Sequence, residues 1–175
     1  MGVTRKELFS ITGLRGSIGD PEVVTKSLLK CHEEGIRKND SSSHICWQDI
    51  EIPIPFECPE TQKVFEYIAS ALSTETGRPI ESSHPWTICN GPLEQTYPHH
   101  HVGNGCEWSC VYWAQVPENS GILNFYPQGL DGPETSEEPT PGDFLVFPSN
   151  LLHGVRHNAS SEKRVSMSFN MRYVS

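Results

Sequence analysis

The sequence predicts an α+β protein, mainly β, in which two helices in the first half of the chain buttress one face of a β-sandwich or barrel. Three observations carry this prediction. The 175 residues include 14 glycines and 14 prolines, which suits a loop-rich β protein better than a helix bundle. Two apolar stripes of helical period precede Gly77, and short strand-like segments separated by Gly/Pro turns follow it. The last segment, Arg164 to Val174, alternates: Arg164, Ser166, Ser168 and Asn170 share one face, while Val165, Met167, Phe169 and Met171 share the other.

Taken in order, residues 7–18 (ELFSITGLRGSI) read as an edge strand broken by glycines. Asp20-Pro21 then starts a helix, with the aspartate as cap and the proline in the first turn. Val23, Val24, Leu28, Cys31 and Ile36 give it a moderate apolar stripe, and its end is expected near Gly35. Asn39 to Ser43 is a polar loop, and Trp47 to Pro55 an extended segment limited by prolines. A second helix is predicted from about Pro59 to Ser73 on the stripe Val64, Phe65, Ile68, Ala69 and Leu72, stopped by Gly77-Arg78-Pro79. Strands follow at 86–90, 108–116, 121–126, 143–147 and 164–174. The acidic stretch Asp131 to Pro139 reads as a solvated excursion between strands.

A chain of this size buries a core as one domain without disulfides or structural metal. Its formal charge of −9 offers no basic stripe to neutralise phosphates, which excludes a strong nucleic-acid footprint. The six cysteines stand at 31, 46, 58, 89, 106 and 110, and the one close pair, Cys106 and Cys110, has no matching second pair for a zinc knuckle. They are read as reduced, mostly buried thiols of a cytoplasmic protein. The opening MGVTRKELFS lacks the apolar run of a signal peptide or membrane span, and Lys6 stands where a myristoylation motif needs Ser or Thr.

The chemistry-bearing residues are histidines and one arginine. On an extended segment His99 and His101 point to one side and His100 to the other, so the pair can grip one ion, with His153 supplied from a distant strand. A triplet alone suits a surface loop equally well; His153 and the polar face of the last strand favour a metal. Three imidazoles with open positions suit Fe(II), and also Zn, Ni or Cu. The usual open iron site has two histidines and one carboxylate, so Glu94 and Glu107 are kept as alternative ligands. His32, His44, His84 and His157 read as incidental. Arg164 with Ser166 makes a carboxylate clamp, a planar bidentate donor plus a hydroxyl.

These residues stand in a recognisable run: HHH at 99–101, SCVYW at 109–113, SGILNF at 120–125, FPSNLLH at 147–153 and RVSMSFN at 164–170. Over residues 85–173 the chain resembles the Fe(II)/2-oxoglutarate-dependent oxygenases. In particular it resembles a small family, common in phages and bacteria, related to prolyl-hydroxylase-like enzymes. The resemblance implies a double-stranded β-helix, or jelly roll, over 85–175, with residues 1–84 giving a strand and supporting helices. It implies Fe(II) on His99, His101 and His153, and 2-oxoglutarate on Arg164 and Ser166. Tyr112, Asn90, Asn124 and Asn170 become candidates for contacts to the cosubstrate or behind the ligands. The implied reaction consumes 2-oxoglutarate and O2, releases succinate and CO2, and hydroxylates an unactivated C–H bond. The spacer VGNGCEW after His101 is longer than usual in the family, which leaves His100 as an alternative first ligand.

Two other readings stand beside it. One is a cupin-like metalloprotein without a keto-acid cosubstrate, which would share H-x-H and the Pro148 to His153 spacing but leave Arg164 without a role. The other is a non-enzymatic jelly-roll interaction protein. The substrate, small molecule or peptidyl side chain, is not specified by the sequence.

Overall fold

The structure is a computed structural model and describes residues 11–39, 51–53, 58–83, 85–102, 105–132 and 135–174. The elements run β1 (Leu14–Ser17), α1 (Pro21–Asn39), β2 (Glu51–Pro53), α2 (Pro59–Thr76), β3 (Ile80–Ser82), β4 (Trp86–Asn90), β5 (Thr96–His99) and β6 (Trp108–Gln115). They continue with β7 (Leu123–Phe125), β8 (Thr135–Glu137), β9 (Asp143–Pro148), β10 (His153–Val155) and β11 (Arg164–Tyr173). The parts of the predicted segments at 7–10, 40–50 and 54–55 lie outside the described residues, as do Cys46, His44 and His84.

Both helices start as their sequences require. The Asp20 carboxylate accepts from the Glu22 amide at 3.0 Å, capping α1. Pro59 opens α2, and Gly77, at φ 65°, closes it in the left-handed conformation that glycine adopts without strain. The expected end of α1 near Gly35 is corrected: the helix continues to Asn39, because one interior glycine costs only about 1 kcal/mol and does not by itself end a helix.

The strands form a seven-stranded sheet, β1-β9-β6-β11-β4-β2 with β3 also on β11, and a four-stranded sheet, β5-β10-β7-β8. All the pairings are antiparallel. This is a jelly roll, and β11 is its central strand. Its apolar face (Val165, Met167, Phe169, Met171) is fully buried against Val24, Leu28, Val64, Ile68 and Leu72 of the helices. Burying each such side chain contributes about 1.5–3 kcal/mol. A second core of Trp113, Leu123, Phe125, Leu145, Phe147 and Leu151 fills the space between the sheets.

One expectation about loops is corrected. The acidic excursion contains β8, which pairs with β7. Ser136 Oγ donates to Asn124 Oδ1 at 2.7 Å, and Arg15 bridges to Glu137 at 2.9 Å. His153 begins the short strand β10, the distant strand expected to supply it. The five described cysteines are free thiols. No helix among the described residues is long and apolar enough to cross a membrane.

Candidate active site

The pairing of β5 with β10 sets His153 directly opposite His99, which in an antiparallel pair brings the two side chains together. Gly154 permits the approach: a Cβ there would stand 2.9 Å from the Thr96 carbonyl oxygen and 3.0 Å from the Pro98 nitrogen. His101 lies just beyond β5, so it does not share a strand with His99. Its position is fixed instead by its amide, which donates to the Ser149 carbonyl at 2.8 Å. One ring nitrogen from each of His99, His101 and His153 lies within 4.8 Å of the other two, the scale of a single-ion site.

Two of the rings are held in one orientation. Nδ1 of His99 lies 2.8 Å from the Tyr97 carbonyl, and Nδ1 of His153 lies 2.8 Å from that of Leu151. A carbonyl only accepts, so each Nδ1 carries the proton and each Nε2 keeps its lone pair for a ligand bond. Burial pushes the His153 imidazole down to about 3, opposed by its bond to the Leu151 carbonyl and assisted by the neighbouring imidazoles. Burial, then the charges of His99 and His100, brings His101 down to about 4. Both rings are therefore neutral at physiological pH, the form that binds metal. Phe147 packs edge-on to His153 at 4.7 Å, and Trp86 lies 6.2 Å from His101.

The alternative ligands lie elsewhere. His100 is exposed, and its Nδ1 accepts from the Val102 amide at 3.3 Å. Glu94 accepts from the Gly91 amide at 2.6 Å and Glu107 from the Tyr173 amide at 3.1 Å. Neither belongs to the histidine cluster. His157 is exposed on the loop after β10.

Arg164, Ser166, Ser168 and Asn170 line the same cavity as the three histidines, with Trp86, Ile88, Val111, Trp113, Leu123 and Phe147 forming its apolar walls. The polar face of β11 therefore looks into the barrel, while its apolar face meets the helices. A shift in register between Val165 and Ser166, against Gln115 and Trp113 of β6, re-aims the strand beside the arginine. Arg164 is 3% exposed. Its Nη1 donates to the Ser120 carbonyl at 2.8 Å and its Nη2 to Asn90 Oδ1. Gly121, at φ 93°, has no room for a Cβ, which would stand 2.9 Å from Nη1. Asn170 Oδ1 accepts from Ser109 Oγ at 2.8 Å.

Tyr112 is corrected. Its neighbours Val111 and Trp113 face the cavity, so Tyr112 faces the helices, fully buried, with its hydroxyl donating to the Ile18 carbonyl at 3.2 Å. Burial pushes its phenol up to about 12. It is a core residue and cannot touch a ligand in the cavity. Asn124 is turned towards Ser136 and is not among the cavity residues. Sequence reasoning missed Trp86 and Ile88 as walls, although β4 pairs Trp86 with Ser168 and Ile88 with Ser166. It also missed Asn158, whose side chain ties the Asn90 carbonyl to that of Glu162 at 3.0 and 2.7 Å. The NASS turn could have pointed to it, since an Asx turn places such an amide.

The donors fit the groups that the resemblance implies. Three clustered imidazoles, two of them with Nδ1 tied to a backbone carbonyl, suit a divalent ion such as Fe(II). The two residues that anchor Arg164 each carry a buried polar atom without a hydrogen-bond partner, Asn90 Nδ2 and Ser120 Oγ, which suits a bound carboxylate with its several lone pairs.

Residues 126–170, which include His153 and Arg164, match the family described as "Putative 2OG-Fe(II) oxygenase". No curated relative matches the sequence. Among solved structures, a prolyl-4-hydroxylase from Pseudomonas putida superposes with a TM-score of 0.66 at 15% identity, covering 93% of each chain. The viral collagen prolyl hydroxylase of Paramecium Bursaria Chlorella virus-1 gives 0.66 at 13% identity, covering 94% of this chain and 96% of that one. The α-ketoglutarate-dependent carbocyclase SnoK of nogalamycin biosynthesis gives 0.70 at 12% identity, covering 91% of this chain and 78% of that one. At such identities the structures establish the shared double-stranded β-helix fold.

Proposed function

We infer that this chain, which belongs by its matched segment and its fold with the 2-oxoglutarate/Fe(II) oxygenases, hydroxylates an unactivated C–H bond of a small-molecule or peptidyl substrate. His99, His101 and His153 would hold the Fe(II). Arg164 with Ser166 would take the far carboxylate of 2-oxoglutarate. The observation that carries the reading is the opening of both groups into one cavity. Bound there, the iron and its cosubstrate supply the oxygen chemistry, in which 2-oxoglutarate, O2 and R–H become succinate, CO2 and R–OH.

The protein's own share is placement. The guanidinium is buried and anchored by Ser120 and Asn90, so it meets a carboxylate in a fixed orientation with little reorganisation. Trp113, Leu123 and Phe147 give the cavity an apolar wall, a surface that does not compete with the ligands for hydrogen bonds. The tethered His99 and His153 rings hold their Nε2 atoms in place before metal arrives. The free thiols support a reducing, cytoplasmic setting.

The test is turnover. With Fe(II), ascorbate and O2 the protein is expected to release succinate from 2-oxoglutarate, faster when proline-containing peptides or free amino acids supply the right C–H bond. The substrate class is given by whichever set accelerates release. No consumption of 2-oxoglutarate, coupled or uncoupled, contradicts the reading.

A further inference from the structure

We propose that Asn90 is a two-sided recognition residue, whose side-chain carbonyl fixes the Arg164 guanidinium and whose amide nitrogen donates to the carboxylate that Arg164 binds. This rests on the reading of Arg164 as a carboxylate clamp and adds a second, uncharged donor to it.

Asn90 ends β4 and is the register partner of Arg164 on β11, so the two side chains share the inner face of the sheet. Asn90 is wholly buried. Its Oδ1 accepts from Arg164 Nη2. That contact fixes the amide's orientation, because a flip would set NH2 against the N–H groups of a guanidinium, which only donates. Nδ2 is therefore the arm turned away from the guanidinium, and it has no hydrogen-bond partner. A buried amide donor left unsatisfied is costly and calls for an explanation.

The backbone beneath is pinned, since the Asn90 carbonyl accepts from Asn158 Nδ2 at 3.0 Å, and Asn158 also donates to the Glu162 carbonyl at 2.7 Å. With the backbone pinned and Oδ1 bonded to Arg164, the side-chain amide is held in one orientation. Ser120 Oγ is likewise buried without a partner, on the residue whose carbonyl takes Nη1. Two unsatisfied polar atoms beside one cation suit a ligand with several lone pairs, and a carboxylate offers about four. The side chain must also be neutral. An aspartate here would pair with Arg164 and compete with the ligand for it.

The experiment measures the Kd of 2-oxoglutarate on the protein loaded with Zn(II), a redox-inert ion, for wild type, Asn90→Asp and Asn90→Ala. Asn90→Asp is expected to weaken binding roughly 30-fold or more, because the new carboxylate occupies the guanidinium. Asn90→Ala is expected to weaken it about 5- to 10-fold, the loss of one or two hydrogen bonds. Zn(II) affinity stays within about twofold in both, since Asn90 is not one of the donors grouped around the ion. The order is the signature: a residue that merely fills space would tolerate the isosteric acid better than alanine. Asn90→Asp binding like wild type, or alanine proving worse than aspartate, overturns the proposal. Should Asn90→Asp not fold, the thermal upshift that 2-oxoglutarate gives Zn(II)-loaded Asn90→Ala decides instead. It is expected below half the wild-type upshift, and a full upshift overturns the proposal. Wild type failing to bind 2-oxoglutarate would sink the clamp reading itself.

Discussion

His153→Ala is expected to abolish metal binding at stoichiometric protein concentration, whereas His157→Ala leaves it intact. His153 is the most enclosed of the three imidazoles, 7% exposed, and stands across the β5–β10 pair from His99. Losing an outer partner of a metal ligand costs about 10- to 100-fold in affinity, so losing the ligand is expected to cost at least about 100-fold. The alanine also opens a gap beside Phe147 and Phe125, so the variant should melt earlier. His153→Gln, which keeps more of the volume, separates packing from ligation. Both variants are titrated with Fe(II) under anaerobic conditions. Equal metal affinity in His153→Ala and His157→Ala would mean that the distal ligand lies elsewhere.

Arg164→Ala is expected to spare the metal and lose the cosubstrate. A buried, hydrogen-bonded charge pair broken on one side costs about 2–5 kcal/mol. That corresponds to roughly a 30-fold to several thousand-fold rise in the Kd of 2-oxoglutarate. Fe(II) affinity should change little, because the arginine is not one of the clustered donors. The variant leaves the Ser120 carbonyl and Asn90 Oδ1 without their donor, so some stability is lost as well. Arg164→Lys keeps the charge without the planar fork and should fall between alanine and wild type. Loss of iron and cosubstrate in equal measure in a folded Arg164→Ala would contradict the clamp.

The most legible part of the sequence was β11. Its period of two separates four polar from four apolar side chains, and the structure sends the first set into the cavity and the second onto the helices. The helix starts were legible for a similar reason, since capping is local chemistry. Tyr112 was misplaced because β6 is apolar on both faces: SCVYWA gives no phase, and only the pairing with β11 decides which residues face the cavity. The strands β8 and β10 span only three residues each, and their strand character comes from pairing with β7, not from their own sequences. The same holds for Asn90. The resemblance made it one candidate contact among four, and its particular place emerges only where β4 meets Arg164 across the sheet. His99 and His101 were legible as a pair through their spacing. That His101 leaves the strand and is set by the Ser149 carbonyl was not, because the bond spans distant parts of the chain.

The most direct test of the central claim is an anaerobic titration of metal-free protein with Fe(II) and then 2-oxoglutarate, followed in the visible spectrum. A weak metal-to-ligand charge-transfer band that appears only when both are present is the predicted result, since it arises from the keto acid meeting iron held in the same cavity. Iron binding without that band, or no iron binding at all, would contradict it.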